Sequence, residues 1–170
     1  MSKAFTREET DGPDMPDLPP LASTLPPGAK NYMTPVGAER LREELARLIE
    51  VSRPQLAASR DDPDSKRLLA GIDQRIAQVE QSLQTAEVVR HPPGETSVVH
   101  FGATVVVREE NGEESTYRIV GVDETDFDRG WVSWLSPIAK ALVNGRLDER
   151  VRFKFPSGEE DLEIVRIAYD

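Results

Sequence analysis

The residues best placed for chemistry are three aspartates in one short polar stretch, Asp61, Asp62 and Asp64. They lie within four residues, next to Pro63 and Ser65, in a segment whose composition predicts a turn. Proteins usually hold Mg²⁺ through one or two carboxylates together with oxygens from other groups. The three aspartates therefore predict a partial metal site that a partner would complete, and a plain soluble turn is the alternative.

Other catalytic and metal-binding patterns are missing from the sequence. It contains no Cys, and its two histidines, His91 and His100, lack the spacing of metal ligands. No phosphate-binding loop, dinucleotide fingerprint or nucleophile elbow occurs. The acidic run at residues 123–128 is interpreted as a solvated loop rather than a Ca²⁺ site, because it lacks the Gly and the terminal Glu of an EF-hand loop.

Charge and hydropathy limit the function classes further. The 170 residues carry a formal net charge of −10. Duplex DNA binding is disfavoured, because it relies on Lys and Arg that neutralise phosphates, so the expected partner is a protein. No apolar run is long enough to cross a bilayer and no signal-peptide core is present, so we expect a cytoplasmic protein without a membrane partner.

Two helices that fold back on each other between Thr34 and Val89 are predicted to position the aspartates. Thr34 followed by Pro35 is a strong helix start. Apolar residues recur three and four apart in the second arm, at Leu69, Ile72, Ile76, Val79, Leu83 and Ala86, and the first arm offers Leu41, Leu45, Leu48, Ile49 and Leu56. This pattern predicts an antiparallel coiled-coil hairpin with residues 60–65 at its tip. Pro54 predicts a kink in the first arm, and a helix that ends and restarts there is the alternative.

The hairpin, residues 31–90, is flanked by two segments of different composition. Residues 1–30 are rich in Pro and acids and predict a disordered arm. Residues 91–170 predict short strands, with one hairpin around Asn111-Gly112. The other predicted elements are a strand at 131–135, a helix at 137–143 capped by Ser136, and paired strands at 151–155 and 162–168. The predicted fold class is α+β, with an antiparallel sheet and one short helix after the helical hairpin.

A set of short strings occurs along nearly the whole chain: Leu25-Pro-Pro-Gly-Ala-Lys-Asn-Tyr32 with Thr34-Pro35; Arg53-Pro54; Lys66-Arg67-Leu68 with Ile72-Asp73 and Arg75-Ile76; Phe101-Gly102-Ala103; Ile119-Val120-Gly121-Val122-Asp123-Glu124; and Ser136-Pro137-Ile138-Ala139-Lys140-Ala141-Leu142. Together they resemble the Gre family of transcript-cleavage factors (GreA/GreB), and GreB most of all. The resemblance implies that the C-terminal sheet domain is FKBP-like.

The resemblance also implies a function. The partner would be bacterial RNA polymerase, with the sheet domain at the rim of its secondary channel and the coiled coil inserted towards the 3′ end of the transcript. The implied polymerase-binding residues are Asp123, Glu124, Leu135, Ser136, Pro137 and Ile138. The tip aspartates would lend carboxylates to a Mg²⁺ shared with the polymerase, which remains the enzyme. No tightly bound cofactor is implied, and we expect a monomer.

The tip departs from the family pattern. Between Arg53 and Asp73 the chain is shorter than a typical GreB by roughly a dozen residues, or about 9 Å of reach per arm. The family's tip Glu is absent, and Asp64 is its nearest substitute. Three functions therefore stay open: stimulation of transcript cleavage, non-cleaving inhibition or competition at the secondary channel, and a generic coiled-coil or FKBP-like adaptor that does not bind polymerase.

Overall fold

The computed structural model describes residues 25–59 and 61–170. Most of the predicted disordered arm, residues 1–24, lies outside this range. Its last residues form a turn in which the Ala29 amide donates to the Pro26 carbonyl at 3.0 Å. This turn leads into the first strand, β1 (Asn31–Met33).

The first arm is helical from end to end. Helix α1 (Pro35–Arg47) passes through a π-helical turn (Leu48–Ser52) into helix α2 (Arg53–Ala57). In the wide turn the Arg53 amide donates to the Leu48 carbonyl, five residues back. The turn directly precedes Pro54, whose ring would crowd the carbonyl of an ordinary helix four residues back. The arm thus accommodates Pro54 by widening, and it does not end and restart there.

The second arm is helix α3 (Pro63–Thr85), which starts earlier than the predicted turn suggests. Asp62 is its N-cap and Pro63 its first residue, so Asp64 lies in the first helical turn. Two contacts show that the arms run in opposite directions. Arg53, near the end of the first arm, pairs with Asp73. Asn31, just before the first arm, donates to the carbonyl of Ser82, near the end of the second arm.

The apolar contact between the arms is densest at their base. A buried cluster joins Met33, Ala38, Leu41 and Val79, with Leu45 and Leu83 packed against it. Beyond Thr85 the prediction of a helix up to Val89 is wrong. Strand β2 (Ala86–Val88) follows instead and pairs in parallel with β1, which closes the base of the hairpin.

The C-terminal half is a six-stranded sheet with one helix against it. Its elements are β3 (Gly94–Glu95), β4 (Thr104–Arg108), β5 (Glu114–Val120), β6 (Trp131–Ser133), α4 (Pro137–Leu142), β7 (Arg150–Phe155) and β8 (Gly158–Tyr169). The strand order is β3-β8-β4-β5-β6, and β7 also pairs with β8. The core between this sheet and α4 includes Val105, Ile119, Leu142 and Ile164, all fully buried.

The predicted strand pair around Asn111-Gly112 is confirmed. Two strands also pair across Pro156-Ser157, but β8 begins at Gly158 and not at 162, so residues 158–163 pair with β7 in place of the predicted 162–168. The antiparallel sheet needs a correction, because β5 and β6 are parallel and the sheet is mixed. The connection between them contains two 3₁₀ turns, Val122–Glu124 and Phe127–Arg129, which carry the chain back so that β6 runs in the direction of β5. No helix among the described residues is long and apolar enough to span a membrane.

Candidate functional site

The three tip aspartates have different surroundings. All three are exposed. Asp62 uses one oxygen, Oδ2, to accept from both the amide and the hydroxyl of Ser65, each at 3.0 Å. Asp62 thus caps helix α3, whereas Asp61 precedes the cap and Asp64 projects from the first helical turn. The tip therefore offers Asp61 and Asp64 as its less committed carboxylates.

The electrostatics of the tip follow from the cap. The hydrogen bond from the Ser65 amide lowers the pKa of Asp62, and the bond from the Ser65 hydroxyl adds to this effect. Asp62 is therefore ionised over the whole neutral range. In the described part of the chain no group of three or more His, Asp or Glu side chains is arranged to hold a metal ion. A metal at this tip would need oxygens from another molecule.

The length of the tip can be measured from the ion pair between the arms that lies nearest the tip among the described residues. Arg53 Nε lies 2.7 Å from Asp73 Oδ1. From Asp73 back to Pro63 the second arm spans ten residues, which is about 15 Å of helix. The carboxylates therefore stand roughly 15 Å beyond the Arg53–Asp73 ion pair.

Asp123 and Glu124 turn inwards to the hairpin. Glu124 is 5% exposed, and its carboxylate accepts from the amides of Thr34 and Gly121, each at 2.9 Å, and from the Thr34 hydroxyl. Asp123 accepts from the hydroxyl of Ser82 in the second arm. The interpretation of residues 123–128 as a solvated loop therefore fails at Glu124. Neither carboxylate points freely towards a partner.

The residues predicted around the start of α4 also differ in exposure. Pro137 is exposed, while Leu135 and Ser136 are half-buried. The Ser136 hydroxyl caps α4 by accepting from the Ala139 amide at 3.3 Å. Ile138 is only 8% exposed and belongs to the sheet core. Pro137 is thus the member of this group that is best placed to touch a partner, whereas Ile138 packs helix α4 against the sheet core.

Phe127 was missed by the sequence reasoning. It lies on the second 3₁₀ turn and is 88% exposed, the highest value among the exposed large apolar side chains of the described residues. The available signal was a Phe between Asp126 and Asp128 in an otherwise polar run. A large apolar side chain held out in water on a short turn is typical of a contact point for another protein.

Trp131 connects the same loop to the hairpin. The guanidinium groups of Arg40, Arg118 and Arg129 lie 5.2, 5.1 and 5.5 Å from its ring centroids. Arg40 comes from α1, so this cation–π contact joins the first arm to the edge of the sheet. The loop that carries Phe127 is therefore fixed against both halves of the molecule.

Comparison with known proteins gives consistent matches. The family model for the C-terminal region of transcription elongation factors GreA and GreB matches residues 94–169. GreB of Neisseria meningitidis serogroup B is 36% identical over 154 residues, covering 82% of this chain and 94% of that protein. GreB of Pseudomonas aeruginosa is 39% identical over 150 residues, covering 81% and 89%.

The matches also include GreA proteins and several solved structures. GreA of Alkalilimnicola ehrlichii is 39% identical over 158 residues, covering 83% of this chain and 99% of that protein. Among solved structures, GreA factor homolog 1 (Gfh1) of Thermus thermophilus is 26% identical with a TM-score of 0.39, and the match covers 82% and 99% of the two chains.

Proposed function

Because this chain belongs to the GreA/GreB family of transcription elongation factors, we propose that it binds bacterial RNA polymerase and regulates elongation from the secondary channel. One observation carries the proposal: the identity of 36–39% to two GreB proteins extends over 94% and 89% of their lengths. Both the helical hairpin and the sheet domain therefore have counterparts in proteins named as elongation factors.

In this proposal the hairpin acts as an antiparallel coiled coil that enters the channel, and an FKBP-like sheet domain stays at its rim. The docking face consists of Leu135, Ser136 and Pro137, together with the exposed ring of Phe127. An exposed Phe on the loop before strand β6 and an exposed Pro at the start of helix α4 after it support this assignment, because aromatic anchors on fixed loops dominate many interfaces. Asp123 and Glu124 are not assigned to this face, because their carboxylates are bonded to the two arms of the hairpin.

The protein itself is not an enzyme in this account. Asp61 and Asp64 approach the polymerase active centre, where the polymerase supplies the remaining ligands of a shared Mg²⁺ and the water that attacks the transcript. Asp62 holds the start of α3 and contributes charge. The chain acts as a monomer in the cytoplasm, where its partner is located, and it keeps no cofactor of its own.

A second function within the same family is favoured by the tip. A Mg²⁺–oxygen contact forms at about 2.1 Å, so a tip that is several ångströms short cannot make it without deeper seating. The family's tip Glu is absent, and Asp62 is engaged as a helix cap. These features favour a factor that occupies the channel and slows nucleotide entry by charge, without stimulating cleavage.

One experiment separates these outcomes. A stalled, backtracked elongation complex is incubated with the protein, and short 3′ RNA fragments and the elongation rate at low nucleotide concentration are measured. If the tip assists cleavage, the unmodified protein releases RNA fragments. The double variant Asp61→Asn/Asp64→Asn then releases at least about 100-fold fewer fragments, because it lacks the two carboxylates that stabilise the transition state. If the tip inhibits, no extra fragments appear and the same variant restores elongation.

A matched variant controls for charge alone. Glu50→Gln/Glu80→Gln removes two exposed charges from the arms, away from the tip, and should leave either effect unchanged. A chain that neither cleaves nor slows elongation at saturating concentration, and does not co-purify with polymerase, would instead be a coiled-coil or FKBP-like adaptor.

A further inference from the structure

A buried carboxylate from the sheet domain sits at the start of the first arm. Glu124 Oε2 accepts from the Thr34 amide at 2.9 Å, and Glu124 Oε1 accepts from the Thr34 hydroxyl. The same hydroxyl accepts from the Gly37 amide at 3.0 Å and so caps helix α1. Both oxygens of the Glu124 carboxylate are thus bonded to Thr34, and this restrains the orientation of the two residues as well as the distance between them.

The backbone around Glu124 leaves no space for side chains. A Cβ at Gly37 would lie 1.9 Å from Glu124 Oε1. A Cβ at Gly121 would lie 2.3 Å from the Tyr32 carbonyl oxygen and 2.8 Å from Glu124 Oε2. Real Cβ atoms do not approach other atoms so closely, so these two glycines are required for the carboxylate to reach the helix start.

The neighbouring residue ties the second arm to the same turn. Asp123 Oδ2 accepts from the Ser82 hydroxyl, three residues before the end of α3. Tyr32, just before the first arm, packs against Trp134 and Phe101 of the sheet domain, with ring centroids 5.1 and 5.7 Å apart. The turn Val122–Glu124 therefore holds both arms at their base, and Glu124 is the buried charge at its centre.

We propose that Glu124 is a positioning residue that fixes the angle at which the hairpin projects from the sheet domain. This inference rests on the proposed function, in which the docked sheet domain aims the tip into the channel. The first arm, 23 residues from Pro35 to Ala57, is about 35 Å long. A rotation of about 5° at its base would move the tip by about 3 Å, which exceeds the length of a Mg²⁺–oxygen contact.

The test measures this angle in the free full-length protein. The sequence contains no Cys, so spin labels can be attached at Ala77→Cys in the second arm and Ser157→Cys in the β7–β8 turn, both exposed positions. Pulsed electron paramagnetic resonance then gives the distribution of distances between the labels. We expect one narrow distribution, and at least a twofold broader one for Glu124→Ala.

Two variants show whether the hydrogen bonds are the cause. Glu124→Gln keeps an oxygen for the amides of Thr34 and Gly121 and offers its own N–H to the Thr34 hydroxyl, so it should restore a narrow distribution. Asp128→Ala, on the exposed part of the same loop, should leave the distribution unchanged. If Glu124→Ala does not fold, Glu124→Asp, which withdraws the carboxylate by one methylene, should give the broadening instead.

The polymerase assay provides an independent readout. A variant that folds but has a broader distance distribution should lose at least tenfold of the tip-dependent effect on cleavage or elongation. Its Kd for polymerase should change less than about twofold, because the docking face is intact. A Glu124→Ala distribution as narrow as that of the unmodified protein, or a Glu124→Gln distribution as broad as that of Glu124→Ala, would overturn the inference. Failure of the unmodified protein to bind polymerase would refute the proposed function, and the distance measurement would still decide the role of Glu124.

Discussion

At the scale of single residues, the three carboxylates of the tip have different surroundings. Asp62 caps helix α3, whereas Asp61 and Asp64 are exposed on either side of the cap. The difference follows from helix geometry, because the first amides of a helix lack partners and a side-chain oxygen at the N-cap satisfies them. Three aspartates close in sequence are therefore not three equivalent metal ligands.

A pH titration tests the role of Asp62. Hydrogen bonds from Ser65 hold its pKa below the ordinary value of 3.8. Because the folded-state pKa is depressed, the stabilisation is fully present above that value and is lost as the pH falls through the folded pKa. We expect carbon-detected NMR to show Asp62 titrating below 3.8, with the first turn of α3 fraying over the same range.

The control for this titration is Asp62→Asn, which keeps a capping oxygen without a titrating group. In that variant the first turn should not change as the pH passes through the range in which Asp62 titrates. A titration of Asp62 at or above its ordinary value would contradict the cap.

Glu124 shows where single-residue prediction from the sequence ends. Its partner Thr34 lies 90 residues earlier in the chain. The sequence correctly marks Thr34 as a helix cap, but nothing in the pattern of the acidic run distinguishes the buried Glu124 from its exposed neighbour Asp128. Burial of this carboxylate depends on the nearby Gly121 and also on Gly37, which lies far away in the sequence, and only the folded chain shows the second relation.

At the scale of elements, the two arms are tied by ion pairs of different quality. Glu44 and Arg75 form a two-pronged pair at 2.7 and 3.0 Å, and their side chains are 18% and 15% exposed. Arg53 and Asp73 also approach to 2.7 Å, but their side chains are 56% and 47% exposed. Water screens the second pair, so the first should contribute more to the hairpin.

Double-mutant cycles measure this difference. With Ala as the replacement at each position, we expect a coupling free energy of about 1.5 kcal/mol between Glu44 and Arg75, because the pair is bidentate and mostly shielded. The matched control pair, Arg53 and Asp73, should give less than about 0.5 kcal/mol. Thermal unfolding followed by circular dichroism supplies both values, and equal couplings would contradict the assignment.

The elements themselves were predicted unevenly, for physical reasons. Start signals such as Thr34-Pro35 and turn signals such as Asn111-Gly112 act locally, and the helix and strands that they predict are present. The π-helical turn, Leu48–Ser52, accommodates the nearby Pro54. It could not be predicted, because a proline inside a helix can also produce a kink or a break. The pairing of β1 with β2 joins three-residue strands that are far apart in the chain, and it leaves no periodic pattern.

At the scale of the whole molecule, the hairpin meets the sheet domain at the base of its two arms, through the turn Val122–Glu124, the Trp131 ring and the Tyr32 ring. The apolar contact between the arms is concentrated at their base, around Leu41 and Val79. The sheet domain has its own larger core with Ile119 and Ile164 at its centre. In the proposed function, docking on the polymerase and reach into its channel thus belong to two different parts of the molecule, and the turn Val122–Glu124 helps to connect those parts.

The most direct test of the proposed function is site-specific cross-linking to bacterial RNA polymerase. The chain has no Cys, so a photoreactive group can be placed at Ser59→Cys near the tip or, as a control, at Asn111→Cys on an exposed turn of the sheet domain. We expect the tip probe to label residues that line the secondary channel, while the control labels none of them. Tip cross-links confined to the outer surface of the polymerase, or no cross-links at concentrations that saturate the unmodified complex, would contradict insertion into the channel.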